Sequence, residues 1–166
     1  MRKMKTGIIS ALLAILSISC SSTKQGMNEK AMFLMIYDGS NTGVGNVRVY
    51  ASKKTEEKRT YLGNSDMRGH FFMALDEGER YTLTLEKDGY ESVSKDFEFN
   101  GMTGIHFRMF TVDDLLAQAE EAMDVHNYAK ALSFCQRAVT LDKTRKDAAY
   151  LLKIAEKYKS KEQTNE

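Results

Sequence analysis

Proline and tryptophan are absent from this 166-residue chain, and cysteine occurs only twice. Without proline there is no proline-rich linker and no PxxP ligand. Two cysteines are too few for a disulfide scaffold. An excess of one charge is missing as well, since 24 Lys and Arg face 23 Asp and Glu, for a formal net charge of +1. Arg2, Lys3 and Lys5 account for three of those 24 positive charges, so beyond residue 19 there are 21 basic residues against 23 acidic ones. No basic field remains to attract nucleic acid, and that class of partner is excluded. What is present is an ordinary globular composition, 42% hydrophobic and 28% charged, in a length that suits one domain or two small ones.

The first 19 residues read as a targeting signal. Three basic residues precede an apolar run from Gly7 to Ile18, broken only by Ser10 and Ser17. A run of that length falls short of the ~20 residues needed to cross a bilayer and fits the h-region of a signal peptide. It ends at Leu16-Ser17-Ile18-Ser19-Cys20, followed by polar Ser21 to Gly26. This end resembles a bacterial lipoprotein signal, in which small residues precede the Cys that becomes the mature N-terminus. The resemblance implies cleavage between Ser19 and Cys20 and acylation of Cys20. Ser17 departs from the usual Leu three residues before that Cys. Two or three acyl chains make a stable anchor, where one gives only marginal binding. The alternative is a secretory signal cut nearby, with Cys20 an incidental buried residue. Residues 20–30 then read as a lipidated tether, polar and without periodicity. Ser21 is not the Asp that retains some lipoproteins at the inner membrane, which favours an outer-membrane address, facing the periplasm or the surface.

From 31 to 110 the pattern is that of strands. Ala31 to Tyr37 is apolar and ends at the turn formers Asp38-Gly39-Ser40-Asn41; Val47, Val49 and Ala51 alternate with Arg48 and Tyr50. Phe71, Met73 and Leu75, then Tyr81, Leu83 and Leu85, then Phe97 and Phe99, then Ile105, Phe107 and Met109 repeat the period of two. About seven short strands with frequent turns predict an antiparallel β-sandwich, with no helix between strands to build a parallel βαβ unit. Gly69 and Gly89 suit turns that need positive φ, and Asp66 can bond the amides of its own turn. Gly43-Val44-Gly45-Asn46-Val47, Ser65-Asp66-Met67-Arg68-Gly69-His70-Phe71, Gly78-Glu79-Arg80-Tyr81-Thr82-Leu83 and Gly89-Tyr90 occur in that order. Together they resemble the carboxypeptidase regulatory-like (transthyretin-like) β-sandwich family, over roughly residues 40–90. Ser65 in place of Thr, and one extra residue between Gly78 and Tyr81, depart from that family's pattern. The resemblance implies a fold and no catalysis.

The period changes after Phe110. Leu115, Leu116, Ala119, Ala122 and Met123 share one helical face; Tyr128, Ala131, Leu132, Cys135, Ala138 and Val139 share another; Ala148, Leu151, Leu152, Ala155 and Tyr158 a third. Thr111-x-x-Asp114 and Thr144-x-x-Asp147 are candidate capping boxes, and Asn127 a candidate N-cap. Three helices of about 14 residues over 111–159 are expected from these patterns, with 160–166 a polar tail. The first two helices resemble a tetratricopeptide repeat (TPR). Ala119, Ala122, Tyr128, Ala131 and Ala138 occupy its small and aromatic positions, and Cys135 replaces a typical aromatic. The third helix then acts as a cap. A generic three-helix hairpin is the alternative. One repeat lacks the concave groove that about three repeats build, so such a module is expected to lean on the sandwich, self-associate or dock on a protein partner. Cys135 lies on the apolar stripe and reads as a small buried hydrophobe.

No catalytic constellation is legible. His70 and His106 fall in separate strands without a second His or Cys at metal-ligand spacing, and His126 lies at a helix–helix turn. There is no Gly-x-Ser-x-Gly elbow, and Gly43-Val44-Gly45 lacks the context of a nucleotide loop. No metal, cofactor or small-molecule substrate is expected. The chain thus reads as a non-catalytic cell-envelope lipoprotein, an α+β protein in two modules that acts through protein–protein contact. The alternative is a glycan-binding sandwich with Tyr50, Tyr61 and Tyr90 as its aromatic platform.

Overall fold

A computed structural model describes residues 29–56, 58–102 and 104–164. Seven strands come first: β1 (Glu29–Tyr37), β2 (Arg48–Lys53), β3 (Thr60–Asn64), β4 (His70–Asp76), β5 (Arg80–Glu86), β6 (Val93–Glu98) and β7 (Gly104–Arg108). Three helices follow: α1 (Val112–Asp124), α2 (Tyr128–Leu141) and α3 (Lys146–Thr164).

The strands form two sheets, ordered β4-β1-β7 and β3-β2-β5-β6. Every second residue of β1, Met32, Leu34 and Ile36, is buried and meets Val49, Ala51, Leu83 and Leu85 of the other sheet in one core, completed by Met73, Leu75, Tyr81, Phe99, Ile105, Phe107 and Met109. Fully burying a side chain of this size contributes about 2 kcal/mol, which is why the period of two holds through β1, β2, β5 and β7.

Four of the five strand pairs are antiparallel, but β1 and β7 run parallel. This corrects the expectation of a wholly antiparallel sandwich. A parallel pair needs a long connection; here no helix supplies it. The chain from β2 to β6 builds most of the rest of the sandwich before β7 returns along the free edge of β1, opposite β4. Strand β3 carries no period-two signal because none of its residues is buried. Strand β1 starts at Glu29, two residues inside the segment read as tether, because Glu29 and Lys30 pair with Asp76 and Leu75. Cys20, Ser19 and the rest of the proposed signal lie outside the described residues.

One turn, between β3 and β4, is held by its own side chains. Asp66 Oδ1 accepts from the amides of Arg68 (2.9 Å) and His70 (2.8 Å), and these bonds, the His70 amide first, hold its carboxyl below the usual range. Gly69 has φ 79°, and a Cβ there would stand 2.3 Å from the Ile36 carbonyl oxygen, so only glycine fits. The buried Ser65 hydroxyl accepts from Val47 N (3.0 Å) and donates to the Val44 carbonyl (3.1 Å), tying this turn to the loop before β2.

The helices start and stop by local chemistry. Thr111 and Asp114 form a reciprocal capping box on α1, and Asn127 caps α2 by accepting from Lys130 N. The second candidate box is absent. Thr144 donates its hydroxyl and its amide to Asp142, while Asp147 is taken by Arg145. Helix α3 also continues to Thr164, through most of the segment read as a polar tail. Among the described residues no helix is long and apolar enough to cross a membrane.

Candidate functional site

Helices α1 and α2 make an antiparallel hairpin, and α3 packs on α2. Ala119, Ala122, Ala131, Cys135 and Ala155 are buried in one cluster, and Val112, Leu115, Ala138 and Ala148 in a second. Small side chains let the helix axes come close, and Leu132, Phe134, Leu151 and Leu152 cover the seam. Burial pushes the Cys135 thiol up from its usual value, which makes it a poor nucleophile. Tyr128 is only half-buried; its ring stacks on Tyr158 at 5.3 Å and 14°.

The two modules meet at a joint with no signal in the sequence. Arg137 of α2 binds Glu91 through both ends of its guanidinium, Nε to Oε1 at 2.8 Å and Nη2 to Oε2 at 2.5 Å. Its guanidinium also lies over Phe110 (5.5 Å) and Phe134 (5.3 Å). The Glu91 amide donates to the Phe110 carbonyl (2.8 Å), and Tyr90 bridges Thr111. A bidentate Arg–carboxylate pair fixes orientation as well as distance, so the helices are aimed from the end of the sandwich. The partners stand 46 residues apart, beyond any local periodicity.

Arg145 clamps the helices at this same end, where α1 and α3 begin. It reaches Asp113 at the start of α1 (2.7 Å) and Asp147 in the first turn of α3 (2.6 Å). Its guanidinium holds the Asp147 carboxyl down to about 2.

Exposed large side chains lie on both modules. On α3, Tyr150 and Tyr158 are exposed by 66% and 44%, and Val125, in the α1–α2 turn, by 71%. On the four-stranded sheet, Tyr50 and Tyr61 sit opposite each other with rings 5.4 Å apart, and Arg59 stacks over Tyr50 at 3.6 Å. The third tyrosine of the expected platform is elsewhere: Tyr90 is half-buried against the sandwich core, beside the joint. The three do not line one face, because Tyr90 lies in the turn after β5 rather than on an outward strand position.

The histidines are also redistributed. His70 and His106, in separate strands, both face outward from the three-stranded sheet, in register with Met35 between them. His126 adopts φ 60° at the α1–α2 turn, with its ring 5.9 Å from Tyr128. Among the described residues no group of three His, Cys, Asp or Glu side chains is placed to hold a metal ion.

The chain is an α+β protein, a β-sandwich followed by three helices. No family model and no curated protein sequence matches it. Solved structures with a partial likeness include 3-chlorocatechol 1,2-dioxygenase from Rhodococcus opacus 1CP, with TM-score 0.43 and 9% identity over 51% of this chain and 60% of that one. A DUF3823 family protein from Parabacteroides merdae has TM-score 0.37 and 18% identity over 51% of this chain and 47% of its own. A streptococcal ancillary pilin has TM-score 0.38 and 12% identity over 53% and 33%. The chain therefore spans less than two thirds of each of these proteins.

Proposed function

We propose that this chain is a non-catalytic cell-envelope lipoprotein whose sandwich holds a TPR-like helical module towards a protein partner or a second copy. Cleavage before Cys20 and acylation of its sulfur supply the membrane anchor in this reading, with the outer membrane favoured. The observation that carries the contact role is the exposed Tyr150 and Tyr158 of α3, in a helical module that the Arg137–Glu91 pair ties to the sandwich. Aromatic side chains exposed on rigid elements are the kind of anchor that protein interfaces bury. The spacing of Ala119, Ala122, Tyr128, Ala131 and Ala138 supports the TPR-like reading, with α3 as the cap.

Cross-linking and co-purification of the full-length protein from membranes, compared with Tyr150→Ala/Tyr158→Ala, tests the contact role. Loss of the partner band in the double variant is the expected result, and an unchanged band counts against it. Intact mass of the membrane-extracted protein tests the anchor: an unmodified Cys20 thiol or a retained leader removes it.

A second reading keeps one specific observation, the exposed Tyr50–Tyr61 pair on the sandwich. A glycan-binding face built on those two rings predicts sedimentation with peptidoglycan that Tyr61→Ala abolishes and Tyr150→Ala leaves intact.

A further inference from the structure

Strand β1 is the middle strand of its sheet, so each of its outward side chains has a neighbour on both sides. Met35 stands between buried Leu34 and Ile36 and therefore points out of the sandwich. Across β4 its partner is His70, and across β7 its partner is His106. The result is a row of imidazole, thioether and imidazole across three adjacent strands. Directly opposed residues on neighbouring strands have Cβ atoms about 5 Å apart. Two imidazoles leaning inward over a central sulfur from that distance can share one ion with it.

The surroundings suit such an ion. The Tyr37 hydroxyl donates to the half-buried Met35 Sδ at 3.5 Å, which uses one of the two lone pairs of the thioether. His70 Nδ1 lies 3.7 Å from Asp66 Oδ2, and Asp66 is itself held by the amides of its turn. A carboxylate beside one ring nitrogen is the arrangement that orients a ligating histidine and leaves its other nitrogen for a metal. Phe33 and Phe72 close one flank, with the Phe33 ring 5.0 Å from His70 and 4.7 Å from Phe72. His106 is exposed on the opposite flank.

The donor set selects the ion. Zn(II) asks for four N, S or O ligands in a tetrahedron, and Ca(II) and Mg(II) ask for oxygens. The Asp66 carboxylate stands behind His70, 3.7 Å from Nδ1, and among the described residues no group of three His, Cys, Asp or Glu side chains is placed to hold a metal ion. A thioether with two imidazoles is a soft, low-coordinate set, which favours Cu(I). We propose that Met35 Sδ and one nitrogen each of His70 and His106 form a three-ligand Cu(I) site on the outer face of the three-stranded sheet.

The test is anaerobic titration of Cu(I) into the full chain against a bicinchoninate competitor, in a Cys20→Ser background so that this sulfur is not a ligand. One equivalent is expected to bind, with X-ray absorption showing sulfur and nitrogen scatterers. Met35→Leu removes the sulfur signal, and it and His106→Ala each weaken binding by about tenfold or more, while Met67→Leu at the exposed turn tip leaves affinity unchanged. Circular dichroism confirms that these outward substitutions leave the fold intact. Met35→Leu and His106→Ala proteins that bind Cu(I) as tightly as the parent overturn the site, as does a spectrum lacking sulfur in the parent.

Discussion

The sandwich and the helical module bury their cores in different ways. Between the sheets the fully buried residues include Phe99, Met32, Leu34, Ile36, Leu83 and Leu85, large side chains that fill a wide gap. Between the helices six of the buried residues are alanine (Ala119, Ala122, Ala131, Ala138, Ala148 and Ala155), joined by Cys135. The sandwich gains stability from apolar area per side chain, whereas the helices gain it from close approach of backbones. Each solution fails in its own direction. Removing volume should hurt the sheets, and adding volume should hurt the helices.

The largest effect is expected at Leu83, fully buried in the sandwich core. Leu83→Ala should cost about 2–5 kcal/mol, read from denaturant unfolding, because little around it can collapse into the cavity. The opposite change breaks the helices. Ala138→Leu, at a fully buried position against Val112 and Leu115, should cost about 1–3 kcal/mol by overpacking, in the same assay. A neutral Ala138→Leu would show that the helix axes are not as close as the small side chains imply. At the start of α1, Thr111→Ala removes the hydroxyl that caps the Asp114 amide, leaving the Thr111 amide on Asp114, and should cost about 1 kcal/mol, seen as lost helicity on heating.

Two smaller effects concern the joints rather than the cores. A double-mutant cycle on Arg137 and Glu91, whose side chains are 36% and 27% exposed, should return a coupling of about 1 kcal/mol or less, since partial exposure screens the pair. A coupling of zero would mean that the joint is held by the Glu91–Phe110 backbone bond and the Tyr90–Thr111 bridge without this pair. The smallest effect is acid sensitivity at Asp147. Its folded-state value of about 2 lies below the ordinary 3.8, so the stabilisation is fully present above about pH 4 and fades as pH falls towards 2. Asp147→Asn should remove that step, lowering stability above about pH 4 while leaving stability near pH 2 unchanged.

Legibility divides along the same line. The outward and inward residues of β1, β2, β5 and β7 follow an alternation that survives because burial enforces it. The alanine faces of α1 and α2 and the Thr111 and Asn127 caps are legible for a similar reason, since they depend on neighbours three or four residues away. Strand β3 escapes this reading, being held by backbone pairing to β2 without a buried face. The second capping box fails because Asp142, outside the four-residue motif, takes Thr144, and Arg145, at a position the motif leaves open, takes Asp147. The tyrosine platform loses Tyr90 to the joint, which needs the position of α1 to be known.

Chain order alone decided that strands come first and helices second, because side-chain period and end chemistry act over a few residues and need no distant partner. Folding in three dimensions settled which strands lie side by side: the parallel return of β7, the alignment of two histidines with Met35, and the union of Arg137 with Glu91. Those pairings join residues tens of positions apart. Their geometry follows from how the whole core packs, which no short window of residues encodes.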